Sequence, residues 1–144
     1  MIIEYKINNS SESDILLHFH NCEKIFLNNL ENRINIEEYV SKIYHKAERF
    51  EAWNDNLLVG LIAIYINENI GYITNVSVTE MFKRQKIATN LLKMCITSIS
   101  NIIRINLEVL KDNQAAINFY LKNGFKQTNT TDNSIYMGMD INNV

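Results

Sequence analysis

Between Val76 and Leu92 the chain reads VSVTEMFKRQKIATNLL, and the spacing of its apolar residues changes partway along. Val76 and Val78 flank Ser77, the alternation of a strand. Ala88, Leu91, Leu92, Cys95, Ile96 and Ile99 then recur at the helical period of about 3.6 residues. The connection holds Lys83, Arg84, Gln85 and Lys86, three cations in four residues. A turn that feeds a helix N-terminus presents backbone N–H groups with no helical partner, beside the positive end of the helix dipole. Such a turn accommodates an anion, and phosphate is the usual occupant. The same residues also suit a solvated basic helix start, and the turn alone does not separate the two readings.

Composition sharpens the point about that turn. The net charge is −2 and the pI about 5.9, so the positive charge at 83–86 is local. A broad nucleic-acid face or an anionic membrane is therefore not expected as partner. The 144 residues suffice for one domain, residues 1–144, with its own core. Cys22 and Cys95 fall on apolar faces of predicted helices without metal or redox spacing, so both are expected to be buried free thiols. Reduced thiols suit the cytoplasm. The opening MIIEYKINNS does not read as a signal peptide, and the apolar run Leu57–Ile66 is about half the length of a membrane helix. A soluble cytoplasmic protein is expected. His18 and His20 are two apart on a predicted helix and diverge, and His45 stands alone, so all three read as solvated or packing residues and no metal is expected.

The rest of the chain arranges itself around the central turn. Residues 2–8 form a short opening strand, and Ile15, Leu16, Phe19, Cys22, Ile25, Phe26 and Leu30 trace a helical stripe from Glu12 to about Leu30. Serines precede that helix and can cap it. A second helix runs over Ile36–Lys46 with Asn35 as its cap. Arg49–Asn54, Leu57–Ile66 and Ile70–Val78 read as three antiparallel strands joined by tight Asn-rich turns. After the helix of about 87–100 comes Ile102–Leu110, with Ile103, Ile105, Leu107 and Val109 on one face. Strand, helix, strand in this order is a crossover, so 102–110 lies parallel to 70–78. Asp112 or Asn113 caps a short helix that Gly124 ends, and 125–128 with 134–141 form a last antiparallel pair. Ligands of open sheets settle at the carboxyl ends of parallel strands. Here that end gathers the 79–88 turn, Glu108 and the start of the 112–123 helix.

The V-x-V strand, the basic turn with I-A-T-x-L-L, and the run L-E-V-x-x-x-N-x-x-A-I-x-F-Y-x-x-x-G-F from Leu107 to Phe125 resemble the GCN5-related N-acetyltransferases. The resemblance covers the whole chain in element order and residues 70–128 in motif detail. It implies a single-domain α/β fold with a mixed, mostly antiparallel sheet of about six to seven strands, one parallel pair, and about four flanking helices. It implies acetyl-CoA as co-substrate and direct acetyl transfer to a primary amine of an unidentified small-molecule acceptor, by a monomer or homodimer. Backbone groups of Val76 and Val78 would bind the pantetheine arm as an added strand. Lys83, Arg84, Gln85, Lys86, Ile87, Ala88 and Thr89 would form the pyrophosphate turn. Asn113 would hydrogen-bond the arm, Ala116 and Phe119 would line its path, and Tyr120 would sit near the thioester sulfur as general acid. The family's turn has glycine where this chain has Lys86.

The residue types suit that chemistry. A phenol has an unperturbed pKa of about 10 and a thiol one of about 8–9, so a positioned tyrosine can protonate a departing thiolate. An amine must lose its proton before attack, and Glu108, directly or through water, is the expected base, with Glu80 second. Blander roles stay open: Tyr120 as a core aromatic, Glu108 as a solvated strand residue, Asn113 as a plain helix cap. A different class of function is also open, an acyl-CoA-binding regulatory domain with little or no turnover.

Overall fold

The computed structural model describes residues 2–22 and 35–141. Its elements are β1 (Glu4–Ile7), α1 (Glu12–His20), α2 (Ile36–Lys46), β2 (Glu48–Asn54), β3 (Leu57–Asn67), β4 (Ile70–Val78), a single-turn helix Glu80–Phe82, α3 (Ile87–Ser98), β5 (Arg104–Leu110), α4 (Gln114–Lys122), β6 (Lys126–Thr130) and β7 (Ser134–Asp140). The strands make one seven-stranded sheet in the order β1-β2-β3-β4-β5-β7-β6. Only β4 and β5 run parallel; every other neighbouring pair is antiparallel.

Local chemistry explains the boundaries. Ser11 and Asp14 exchange side-chain and backbone hydrogen bonds across the start of α1, a capping box. The Asn35 side chain accepts from the N–H groups of Glu37 and Glu38, so α2 begins where its cap requires. Of the two candidate caps for α4, Asn113 takes the role, accepting from Ala116 N at 3.2 Å. Gly124 follows α4 with φ of +99°, a conformation that costs other residues more.

Both faces of the sheet are covered. Ile15, Phe19, Val40 and Ile43 of α1 and α2 pack on Leu58, Leu61 and Ala63. On the other face Ile87, Leu91, Leu92 and Cys95 of α3, with Ile117 and Tyr120 of α4, pack on Ile62, Ile64, Ile73, Ile105 and Leu107. Cys95 is fully buried in that second layer, and Cys22 is buried just beyond the end of α1.

Three expectations are corrected. The first helix stops at His20, and the part of its expected span from residue 23 onward lies outside the described residues. The helix expected over 87–100 ends at Ser98. Ile103 is 54% exposed and does not share the buried face of Ile105, Leu107 and Val109; Ile102 is buried instead, because regular β5 geometry starts only at Arg104. No helix among the described residues is long and apolar enough to cross a membrane.

Candidate active site

The geometry of the site begins with an irregularity in β4. Residues 75–78 pair with β3 in one register and 70–73 in another, so Thr74 is an extra, bulged residue with no partner in β3. The parallel pairing of β4 with β5 covers only Ile70–Ile73 against Arg104–Leu107 and stops where the bulge begins. Beyond it the two strands part. The Thr79 N–H bonds the Val59 carbonyl, and antiparallel pairing alternates, so Asn75 and Ser77 also turn their backbone groups to β3. Those of Val76 and Val78 then point the other way, into the opening, and among the described residues no strand pairs with them there. Their half-buried side chains pack against the core cluster that holds Tyr120, as do those of Ala116 and Phe119.

Tyr120 sits in that cluster between two aromatic neighbours, its ring centroid 5.4 Å from Phe119 and 5.5 Å from Phe125. Burial lifts its phenol well above the usual range, and the nearby Tyr39 adds to the effect. The hydroxyl therefore stays protonated across ordinary pH, the form a proton donor needs.

At the carboxyl end of β4 the basic segment forms two left-handed positions, Arg84 at φ 65° and Lys86 at φ 60°. Lys86 is the residue before α3 and supplies no side-chain cap, and the first intrahelical bond runs from Asn90 N to Lys86 O. The N–H groups of Ile87, Ala88 and Thr89 thus open the helix without helical partners. Arg84, Gln85 and Lys86 are exposed, Ile87 turns its side chain into the core, and Lys83 Nζ lies 3.3 Å from Glu80 Oε2. The turn is tied down by Glu80 N, which donates to the Asn21 carbonyl at the end of α1. The unpartnered donors at this helix start are backbone N–H groups, with exposed cations beside them. Asn113, Ala116 and Phe119 follow from α4, which begins at the same end of the sheet after β5.

Glu108 is placed apart from Tyr120. Its neighbour Leu107 is buried with Tyr120, so alternation sends Glu108 to the opposite face of the sheet. There it lines an open cavity of about 620 Å³ with Lys111, Asp112, Asp132 and Ser134. Glu80, the second candidate base, is the partner of Lys83 in the basic turn.

Two groups escaped the sequence reading. His18 is completely buried: Nδ1 donates to the Leu58 carbonyl at 3.1 Å, and Nε2 lies 2.8 Å from the hydroxyl of Ser77, which itself donates to Asn75 Oδ1 at 2.7 Å. Burial lowers its pKa from 6.5 to about 4, against a small opposing effect of the Leu58 carbonyl. The second is Tyr39, counted by sequence as one apolar residue of the α2 stripe. Its hydroxyl lies 2.7 Å from the Thr74 carbonyl and 2.8 Å from Thr74 Oγ1. The only hints were an imidazole beside Phe19 in α1 and a phenol on the apolar stripe of α2; nothing local marks the strand each meets. No group of three or more His, Cys, Asp or Glu residues among the described residues is arranged to hold a metal.

Comparison with known proteins agrees with the fold. The model of the acetyltransferase (GNAT) family matches residues 14–125, most of the chain. The PaiA N-acetyltransferase from Thermoplasma acidophilum, solved with coenzyme A, superposes with a TM-score of 0.78 at 19% identity, covering 97% of this chain and 99% of that one. The ribosomal-protein-S18-alanine N-acetyltransferase from Escherichia coli gives 0.75 at 19% identity over 98% and 96%. A GNAT acetyltransferase from Elizabethkingia anophelis with acetyl-CoA bound gives 0.63 at 20% identity over 72% and 82%. At these identities the likeness establishes the fold. No protein of curated function matches in sequence. With its family-wide match, its one parallel strand pair and the opening beyond it, the chain belongs to the GNAT family of acetyltransferases.

Proposed function

We propose that this protein transfers an acetyl group from acetyl-CoA directly to a primary amine of a small-molecule acceptor. The observation that carries the reading is the end of the β4–β5 pairing at Ile73, past which the backbone groups of Val76 and Val78 turn away from β3 with no strand beside them among the described residues, while their side chains pack on the cluster that includes Tyr120. An extended pantetheine arm would pair with them as an added strand. The N–H groups of Ile87, Ala88 and Thr89, with the cations Lys83, Arg84 and Lys86 and the amide of Gln85, would hold its pyrophosphate. Asn113 already spends its side-chain oxygen on Ala116 N, so its amide N–H₂ is the part left for the arm.

Tyr120 supplies the proton to the departing thiolate, and Glu108 removes one from the amine, directly or through water. Their opposite faces suit this division: the thioester is reached from the α4 side and the amine from the side of α2 and the cavity beside Glu108. Direct transfer needs both at once, with no covalent enzyme intermediate.

One observation favours a second reading, an acyl-CoA-binding domain with little turnover. Lys86 holds a left-handed backbone that glycine would adopt freely, at a cost of about 1–2 kcal/mol. A calorimetric titration with acetyl-CoA followed by an amine screen for thiol release separates the readings. Micromolar binding with thiol release supports the enzyme, and binding without release across the screen supports the binding domain. No binding at millimolar acetyl-CoA overturns both.

A further inference from the structure

The bulge at Thr74 is where β4 leaves β5, and one side chain from across the sheet holds it. A bulged residue has no ladder partner in β3, so the Thr74 carbonyl needs another donor. Tyr39 of α2 provides it. A carbonyl only accepts, so the phenol must donate to Thr74 O at 2.7 Å; its one hydrogen is then used, and the Thr74 hydroxyl donates back to Tyr39 Oη at 2.8 Å. The pair is reciprocal, with the Tyr65 hydroxyl and the Asn75 side chain beside it. The Tyr39 ring is held independently by stacking on Phe19 of α1, centroids 6.0 Å apart and planes 14° from parallel. Phe19 is fully buried, so this anchor belongs to the core.

We propose that Tyr39 is a positioning residue for acyl transfer: by clamping both oxygens of Thr74 it fixes the point at which β4 and β5 separate, and so the alignment of Val76 and Val78 across the opening. The proposal rests on the acetyltransferase reading above. Tyr39 acts through Thr74 and touches no reacting atom in this account. The anchoring turn of Lys83–Thr89 lies beyond the end of β4, past the bulge and the opening. Loss of the clamp should therefore disturb alignment more than binding. Misplacement by about 1 Å is enough to cost on the order of 10²-fold in rate.

The test is Tyr39→Phe, which removes one oxygen and keeps the ring and its stacking on Phe19. Expected are a turnover lower by about 10- to 100-fold, an acetyl-CoA dissociation constant within about threefold of the parent, and amide exchange at Asn75 and Ser77 faster by at least about tenfold while β2 is unchanged. Thr74→Val, which removes the returning hydroxyl but not the carbonyl contact, should lose less, and the double variant should lose no more than Tyr39→Phe alone. Unchanged exchange at Asn75 and Ser77 would overturn the clamp, as would parental turnover in Tyr39→Phe. A uniform rise in exchange throughout the sheet would reduce Tyr39 to an ordinary core residue and also overturn it. If the parent protein itself fails to bind acetyl-CoA, the acetyltransferase reading falls, and the assignment to acyl transfer falls with it.

Discussion

Tyr120 and His18 are both buried, and burial has opposite uses for them. Raising a phenol keeps its proton in place, so as the proposed acid Tyr120 should contribute no basic limb to a pH–rate profile below about pH 10. Tyr120→Phe should lower turnover by about 10- to 10⁴-fold with little change in acetyl-CoA affinity. Steady-state kinetics with calorimetry checks this; a large affinity loss at parental turnover would remove the acid role. For His18, burial favours the neutral ring: the unfolded chain takes up a proton near pH 6.5, the folded one only near 4. Its contribution is fully present above the unfolded pKa, shrinks as pH falls through that window, and levels off below about 4, a total near 3 kcal/mol. In His18→Gln about 2 kcal/mol of the stability lost between about pH 7 and pH 5 should vanish. Urea unfolding at both pH values measures it, and an unchanged difference would show that His18 does not carry the effect.

At the scale of elements, the basic turn is the place where sequence and geometry pull apart. Lys86 adopts the left-handed conformation that a glycine would take, and the free N–H groups that open α3 belong to the residues after it. Lys86→Gly relieves strain but loosens the unfolded chain, so the expected net gain is only about 0.5–1 kcal/mol. Acetyl-CoA affinity should stay within about threefold, by calorimetry; a tenfold weakening would show that the ammonium itself holds phosphate. The elements were largely legible, because caps such as Asn35 and Asn113 and the period change at the basic turn are local signals. The elements that carry the proposed site were legible where a motif marked them, at 76–89 and 107–125. It was illegible at Thr74, Tyr39 and His18, whose meaning lies in contacts between residues 35 to 59 apart in sequence. A bulge depends on the register of two strands, and no single strand displays it.

Across the whole molecule, one buried ionic network fastens the helical wall beside the opening to the sheet. Glu51 of β2 is completely buried and accepts from Asn9 N, Ser10 N and Trp53 Nε1, with Arg49 Nε at 3.4 Å. Arg49 in turn donates to the carbonyls of Ser10 and Tyr44, so the approach to α1 and the last turn of α2 converge on two side chains. Removing one partner strands the other charge, and Glu51→Ala should cost about 3–5 kcal/mol, read as a lower denaturant midpoint at unchanged slope. A shift below about 1 kcal/mol would mean that solvent reaches the pair. The parted strands also have a consequence for selectivity. For its first residues β4 is an interior strand, and past Thr74 it becomes an edge, with hydrogen-bonding groups turned to one side. Exposed edges ordinarily invite any extended chain and lead to aggregation. The side chains along this edge, those of Val76 and Val78, are half-buried against the core cluster that holds residues of α3 and α4, so one face of it is covered. If the acetyltransferase proposal holds, a slender, nearly unbranched arm suits such a half-covered edge better than a polypeptide strand, and girth becomes a first filter on what pairs there.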